Sequence, residues 1–395
     1  MAAMDGIPLG PEDRAILALE SETVAGHTCK IVRVGAGAPD LGALRARVAE
    51  RIARVPLLSC RLGGLPGAPC WVPDPDFAVE RHVGALKPPQ PCDRRAMLTA
   101  VGALFEQRLP RDRPLWRIDT VPLDDGAVAL VWRIHHSLAD GTTALRYARE
   151  LLWDDADAPS ADAARRTVAS TRPGAEAAAR DAAPAPPPSE DAARGAEAHA
   201  RDDARRRRHL AAFLEREYAR SRAPSPFDGA IGRRREVGLA TASLPQLHDA
   251  AQAQCGATVN DAVLAVVAGA LRRWIERHHG TLDGVRVRVP VSLHHDGDAT
   301  ANSDSFFALQ LPLDEPDPCT RLSAIHAATT TRKADHDAES RAELLRELGR
   351  ASPRLRDFAT RLERNPRRFA LSVSNVRGPR AAVRLLGAPV ERLHS

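Results

Sequence analysis

The chain has 395 residues, 44% hydrophobic and 27% charged, enough to bury more than one core, and its length predicts two domains. Its 56 lysines and arginines stand against 51 carboxylates, so the net charge is only +5 and the pI near 9.1 calls for no nucleic-acid partner. Six cysteines (Cys29, Cys60, Cys70, Cys92, Cys255, Cys319) form no CxxC pair, which argues against a zinc ribbon or a dense disulfide framework and predicts reduced thiols.

The opening MAAMDGIPLGPEDRAILALE has no basic region followed by an apolar run, so it does not read as a signal peptide. No apolar stretch approaches the roughly 20 residues that span a bilayer. The expected location is the cytoplasm, with any membrane contact peripheral. Asp40 is placed to cap a helix with Leu41, Leu44, Val48 and Ile52 on one face, and Val55-Pro56 ends it. Strand-like, turn-rich sequence runs to about Leu86, and Met97 to Leu109 again has helical spacing. Trp116 to Leu123 and Gly126 to Ile134 read as two apolar strands separated by Asp124, Asp125 and Gly126, a hairpin that feeds directly into His135 and His136.

From 154 to 204 the chain is rich in Ala, Asp, Arg, Pro and Ser, with too few apolar side chains to offset the entropy of ordering; a disordered linker is expected. Over 205–225, Leu210, Phe213, Leu214 and Tyr218 share one helical face among arginines, a pattern that suits an anionic membrane surface or an ordinary docked helix. The second domain is placed at 226–395, after a first at 1–153. Its clearest element is a helix from Asn260 to His279, with Val263, Leu264, Val267, Leu271, Trp274 and Ile275 as the buried stripe and Gly280 at C′. Val285 to Leu293 and Phe306 to Leu313 read as strands, followed by an Arg-rich helical region and a last strand in FALSVSNV.

The segment His135 to Gly141, HHSLADG, carries the chemistry. A histidine at the end of a buried strand can present one ring nitrogen to a cleft as a general base. If His136 takes the proton of a substrate hydroxyl, the oxygen attacks an acyl thioester, and the imidazolium then protonates the departing thiol. Asp140 falls in the turn into the next helix, where a carboxylate can pair with an arginine and brace the loop, and Gly141 permits a conformation or a close approach that a side chain would block. His278-His279 and His294-His295 lack the carboxylate or cysteine spacing of a metal site, and none is expected.

These residues resemble the wax ester synthase/diacylglycerol acyltransferase family, within the CoA-dependent acyltransferases that carry HHxxxDG. Four further segments follow the family's order: PLGPEDRAILALE, RPLWRIDTV, TVNDAVLAVVAGALRRW and SVSNVRGP. The resemblance implies an α/β (α+β) fold of two chloramphenicol-acetyltransferase-like domains, each a mixed sheet flanked by helices, with the active-site channel between them. It implies transfer of a long-chain acyl group from acyl-CoA, a co-substrate rather than a bound cofactor, to diacylglycerol or a long-chain alcohol, and contact with membrane or lipid inclusions. His136 becomes the catalytic base, His135 its motif neighbour and Asp140 a brace. Asn260 and Asp261 take the ND positions, which also suit a helix cap. Ser374 and Asn375 would face the channel and help polarise the acyl carbonyl.

The chain departs from the family at three points. His294 stands where such proteins often carry arginine, and Arg377 replaces the usual proline of NVPGP. Family members also continue for several dozen residues after this segment, completing the second domain with strands and a helix, so a shortened second domain is expected. Two rivals stand beside acyl transfer to a lipid alcohol: the same machinery with a sugar or amine acceptor, as in condensation-type domains, and an inactive paralogue that only binds acyl chains.

Overall fold

A computed structural model describes residues 6–154 and 225–394, except 66, 87–91, 281, 283, 293–303, 336, 338–340, 342–343, 345–346, 349–351, 353–368 and 380. The linker expected over 154–204 and the amphipathic helix over 205–225 lie outside these residues, save Asp154 and Ser225 at their ends, as does the His294-His295 pair.

In the first half, strand β1 (Ile7–Pro8) and helix α1 (Pro11–Leu17) precede the long strand β2 (His27–Val34). Helix α2 (Leu41–Arg51) starts where predicted, because the Asp40 carboxylate accepts the Ala43 N–H at 2.7 Å; Leu44 and Val48 are buried on its inner face. Strands β3 (Cys60–Leu65) and β4 (Ala68–Pro73) form a small antiparallel sheet with β1, and β5 (Val83–Ala85) follows. Helix α3 (Arg94–Phe105) is capped by Asp93 and stops short of Leu109, whose successor Pro110 disfavours helical backbone before it.

The predicted hairpin is present as β6 (Trp116–Pro122) and β7 (Val128–His135), antiparallel, with Gly126 at φ +80° and the Ala127 N–H held by Asp125 in the turn. The sequence of β7 is almost continuously apolar because both of its faces are covered. Leu130, Trp132 and Ile134 join the core that α2 and the following helix α4 (Gly141–Leu151) close, while Ala129 and Val131 pack with Met97, Val101 and Leu104 of α3.

The second half builds its own core. Helices α5 (Leu244–Cys255) and α6 (Val259–His278) are followed by the antiparallel pair β8 (Gly284–Ser292) and β9 (Asp304–Pro312), helix α7 (Pro318–Ala334), and β10 (Leu371–Ser372), parallel to β8. Leu264 and Ile275 are buried against Val285, Val287 and Leu309, as the helical stripe requires. Trp274 corrects that stripe: it is 43% exposed and stacks on Phe227 at 5.7 Å, since the periodic face is wider than the surface that the sheet offers. Of the strand expected in FALSVSNV, only Leu371 and Ser372 pair as β10.

The last segment, which falls within the 226–395 read as the second domain, pairs with the first sheet. Strands β11 (Arg384–Leu385) and β12 (Ala388–His394) leave the second sheet and extend the first, giving the order β11-β12-β2-β7-β6-β5. Without β12, β2 would be an edge with an unpaired row of backbone groups. Leu385 and Ala388 join the first core, and Asp154 fixes the turn by accepting the N–H groups of Leu386 at 3.0 Å and Gly387 at 2.9 Å. Residues 384–394, placed by the sequence in the second domain, thus extend the first sheet.

Candidate active site

Strand β7 ends at His135, which lies opposite His27 of β2. The His135 ring is buried. Its Nδ1 accepts the Ser137 N–H at 3.2 Å and lies 2.7 Å from Ser137 Oγ, so in the neutral ring the proton resides on Nε2. Nε2 packs on Gly26: a β-carbon at that position would sit 2.4 Å away, and Gly26 has φ +71°, so space and conformation both demand glycine. Burial, reinforced by the positive fields of Arg111, His27 and His136, pushes the His135 pKa down to about 3. The ring is locked and neutral.

His136 follows with its backbone N–H on the Gly26 carbonyl at 2.9 Å, continuing the β2–β7 pairing by one residue. It is half-buried. Burial lowers its pKa, and the nearby Asp140 carboxylate partly opposes that shift while Lys30 adds to it. A neutral imidazole at physiological pH is the form that accepts a proton.

Leu138 and Ala139 fold back on the His135 carbonyl, and Asp140 then caps α4, its Oδ1 accepting the Thr143 N–H at 2.7 Å. The sequence suggested an arginine partner for Asp140; one cation whose field it shares is Lys30 of β2. That ammonium is buried, which lowers its pKa, with Cys29 and Asp140 opposing. Gly141 is needed for close approach: a β-carbon there would lie 2.7 Å from Cγ2 of Val376. Val376 belongs to the SNVRGP segment, so the second half of the chain touches the motif at this point. Ser374 and Asn375, two and one residues before it, are exposed.

Asn260 and Asp261 are placed differently. The cap of α6 is Thr258, not Asn260, which occupies the second helical position. Asp261 completes a capping box with Thr258 and is a buried hub: Oδ2 accepts from the Thr258 N–H and hydroxyl and from His326 Nδ1, each at 2.9 Å, and Oδ1 from the Thr329 hydroxyl at 2.6 Å. Burial alone would raise its pKa, but these hydrogen bonds outweigh it and hold the carboxyl below its ordinary value. The bonds tie α6 to α7 within the second half.

The structure thus gathers His135, His136, Asp140, Gly141 and the segment after Asn375, and assigns Asp261 to the framework. Sequence reading missed Gly26, His27 and Lys30, which reach the motif only through the β2–β7 register, and His326 and Thr329, which meet Asp261 across two helices. Ser137 lay inside the motif, but its bond to His135 was not legible from spacing. Among the described residues, no group of three or more His, Cys, Asp or Glu side chains is arranged to hold a metal ion.

Comparisons with known proteins match the chain to one family. The family model for the wax ester synthase/diacylglycerol acyltransferase catalytic domain matches residues 9–263, and that for the WS/DGAT C-terminal domain matches residues 300–395. A Mycobacterium tuberculosis protein named as a diacylglycerol O-acyltransferase is 29% identical over 344 residues, covering 82% of this chain and 66% of its own length. The chain therefore spans just under two thirds of that relative. Among solved structures, a wax ester synthase/diacylglycerol acyltransferase from Marinobacter aquaeolei superposes with a TM-score of 0.64 at 23% identity, over 98% of this chain and 85% of the other. The first condensation domain of the calcium-dependent antibiotic synthetase gives a TM-score of 0.53 at 16% identity, over 85% and 76%. The α/β fold of this chain is accordingly the one those two solved structures share.

Proposed function

Because the chain belongs to the wax ester synthase/diacylglycerol acyltransferase family, we propose that it transfers a long-chain acyl group from acyl-CoA to diacylglycerol or a long-chain alcohol, forming triacylglycerol or wax ester. The observation that carries the residue assignment is the contrast between the two histidines. His135 has Nδ1 engaged by Ser137 and Nε2 packed on Gly26, which leaves it no route to a substrate; His136, the next residue, is half-buried and favoured in the neutral form.

In this reading His136 accepts the proton of the acceptor hydroxyl as its oxygen adds to the thioester carbonyl. The tetrahedral adduct collapses with cleavage of the C–S bond, and the imidazolium returns the proton to the thiolate. The proton balance closes on one imidazole, so acyl-CoA serves as co-substrate and no separate cofactor enters the scheme. Asp140 holds the start of α4 and biases the charge of His136, and Ser374 and Asn375 are the groups nearest in sequence to Val376 that can polarise the acyl carbonyl. Water-insoluble acceptors make peripheral contact with a membrane or lipid inclusion part of this proposal. No single described helix is long and apolar enough to cross a membrane.

The test is acyl transfer from radiolabelled acyl-CoA to a panel of lipid alcohols, sugars and amines, with wild type and His136→Ala. Loss of at least about a hundredfold in kcat with unchanged circular dichroism is expected, the scale of general-base catalysis. Undiminished turnover by His136→Ala would remove the assignment, and preference for a sugar or amine would replace the acceptor.

A further inference from the structure

On the α3 side of the N-terminal sheet, a cavity of about 220 Å³ is lined by Arg81, Arg108, Arg113, Arg117 and Arg133, with Asp119 in its wall. None of the motif residues His135, His136 or Asp140 contributes to it. The arginines are only partly neutralised. Asp119 is shared by Arg117, at 2.7 Å, and Arg133, at 3.1 Å; Asp112, outside the lining, is shared by Arg113 at 2.9 Å and Arg81 at 3.4 Å. Among the described residues, five guanidinium groups against these two carboxylates leave three positive charges around one concave space.

Such a surplus opposes folding, because like charges repel and the innermost guanidinium, that of Arg133, is only 4% exposed. Arg133 Nη1 donates to the Leu104 carbonyl and Nη2 to Asp119, but its Nε–H has no acceptor among the described residues. A buried cation with unused donor capacity, at the wall of a cavity ringed by further cations, is the arrangement of a site built for an anion. Planar guanidinium forks match the oxygens of a phosphoryl group, and a surplus of three charges suits a dianion better than a lone carboxylate.

We propose that this cavity binds a phosphoryl anion, with the buried Arg133 as its inner wall and Arg81, Arg108, Arg113 and Arg117 around it. The site is wired to the motif. Gln107 also lines it, and the Gln107 carbonyl accepts from His27 Nε2 at 3.0 Å, while His27 lies directly across the sheet from His135. The phosphoryl group can arrive as free phosphate or as part of a nucleotide. The inference stands independently of the acyl-transfer reading.

The experiment is calorimetric titration of the full chain in phosphate-free, low-salt buffer with inorganic phosphate and, separately, adenosine 3′,5′-bisphosphate. Arg133 is left intact, because its removal would strand Asp119 in the interior. Arg108→Ala/Arg113→Ala alters the surrounding arginines instead, with the single Arg108→Ala, at an exposed position, as the control should the double variant lose its native circular dichroism. The expected result is binding by wild type that weakens about tenfold or more in the double variant, the scale of losing charge-assisted hydrogen bonds. Bisphosphate binding much more tightly than phosphate identifies a nucleotide source, and equal binding a free anion. No heat with either titrant, or affinity unchanged in both variants, overturns the proposal, whatever the transferase assay shows.

Discussion

The α-carbon of Gly141 faces Val376 so closely that a β-carbon would come within 2.7 Å of the valine Cγ2, which makes one glycine the contact between the HHSLADG turn and the SNVRGP segment. Gly141→Ala should therefore push the two segments apart, costing about 1–3 kcal/mol as overpacking does. Val376→Ala removes the opposing methyl groups and should restore most of that loss. A double-mutant cycle by urea denaturation measures the coupling, and simple additivity would show that the contact does not exist in solution.

The pH dependence of turnover follows from the surroundings of His136. The base must be neutral, and burial holds its pKa below 6.5, so the acid limb of kcat/KM should fall below that value. Asp140→Asn keeps a side chain that caps helices well but removes a negative charge that stabilises the imidazolium. The limb should move to lower pH in this variant. A shift to higher pH would contradict the placement of Asp140.

Stability should depend on pH through His135. Its pKa is about 3 in the folded state and near 6.5 unfolded, so on acidification below 6.5 the unfolded chain takes up a proton that the native chain refuses. Native stability from this residue is intact above pH 6.5 and declines as pH falls toward 3, by about 1.4 kcal/mol per unit at most. Comparing urea midpoints of wild type and His135→Gln between pH 7 and 4.5 isolates that slope. Parallel slopes would mean that the ring protonates freely.

Asp261 should behave as framework. Asp261→Asn loses the charge that binds Thr258, His326 and Thr329, and a cost of about 1.5–3 kcal/mol is expected from hydrogen bonds to a buried carboxylate. Thr258→Ala should cost about 1 kcal/mol, the value of a cap. Thermal unfolding of both variants checks the order, and loss of turnover by Asp261→Asn at full stability would point to a direct part in the chemistry instead.

Much of this was legible locally. Asp40 and the α2 stripe, the Asp124–Gly126 turn and the apolar strands on either side are short-range statements, and each appears where the residues place it. The place of the motif histidines at a strand end was legible too, since it is written in seven consecutive residues. The end of α3 and the exposure of Trp274 were less so, because a periodic pattern marks a face but not how much of it the neighbouring sheet will cover.

By itself, the sequence determined that a hairpin delivers paired histidines into a capped turn, and that the motifs occur in the order of an acyltransferase family. Only the tertiary structure distinguished the two histidines, through a glycine and a serine that trap one ring, and only it showed that the last strand serves the first sheet. The physical reason is that backbone preferences, caps and periodicity act over a few residues. Register, close approach and the field of buried charges arise between segments as distant as Gly141 and Val376, or Asp154 and Gly387, and take their values only when the chain has closed on itself.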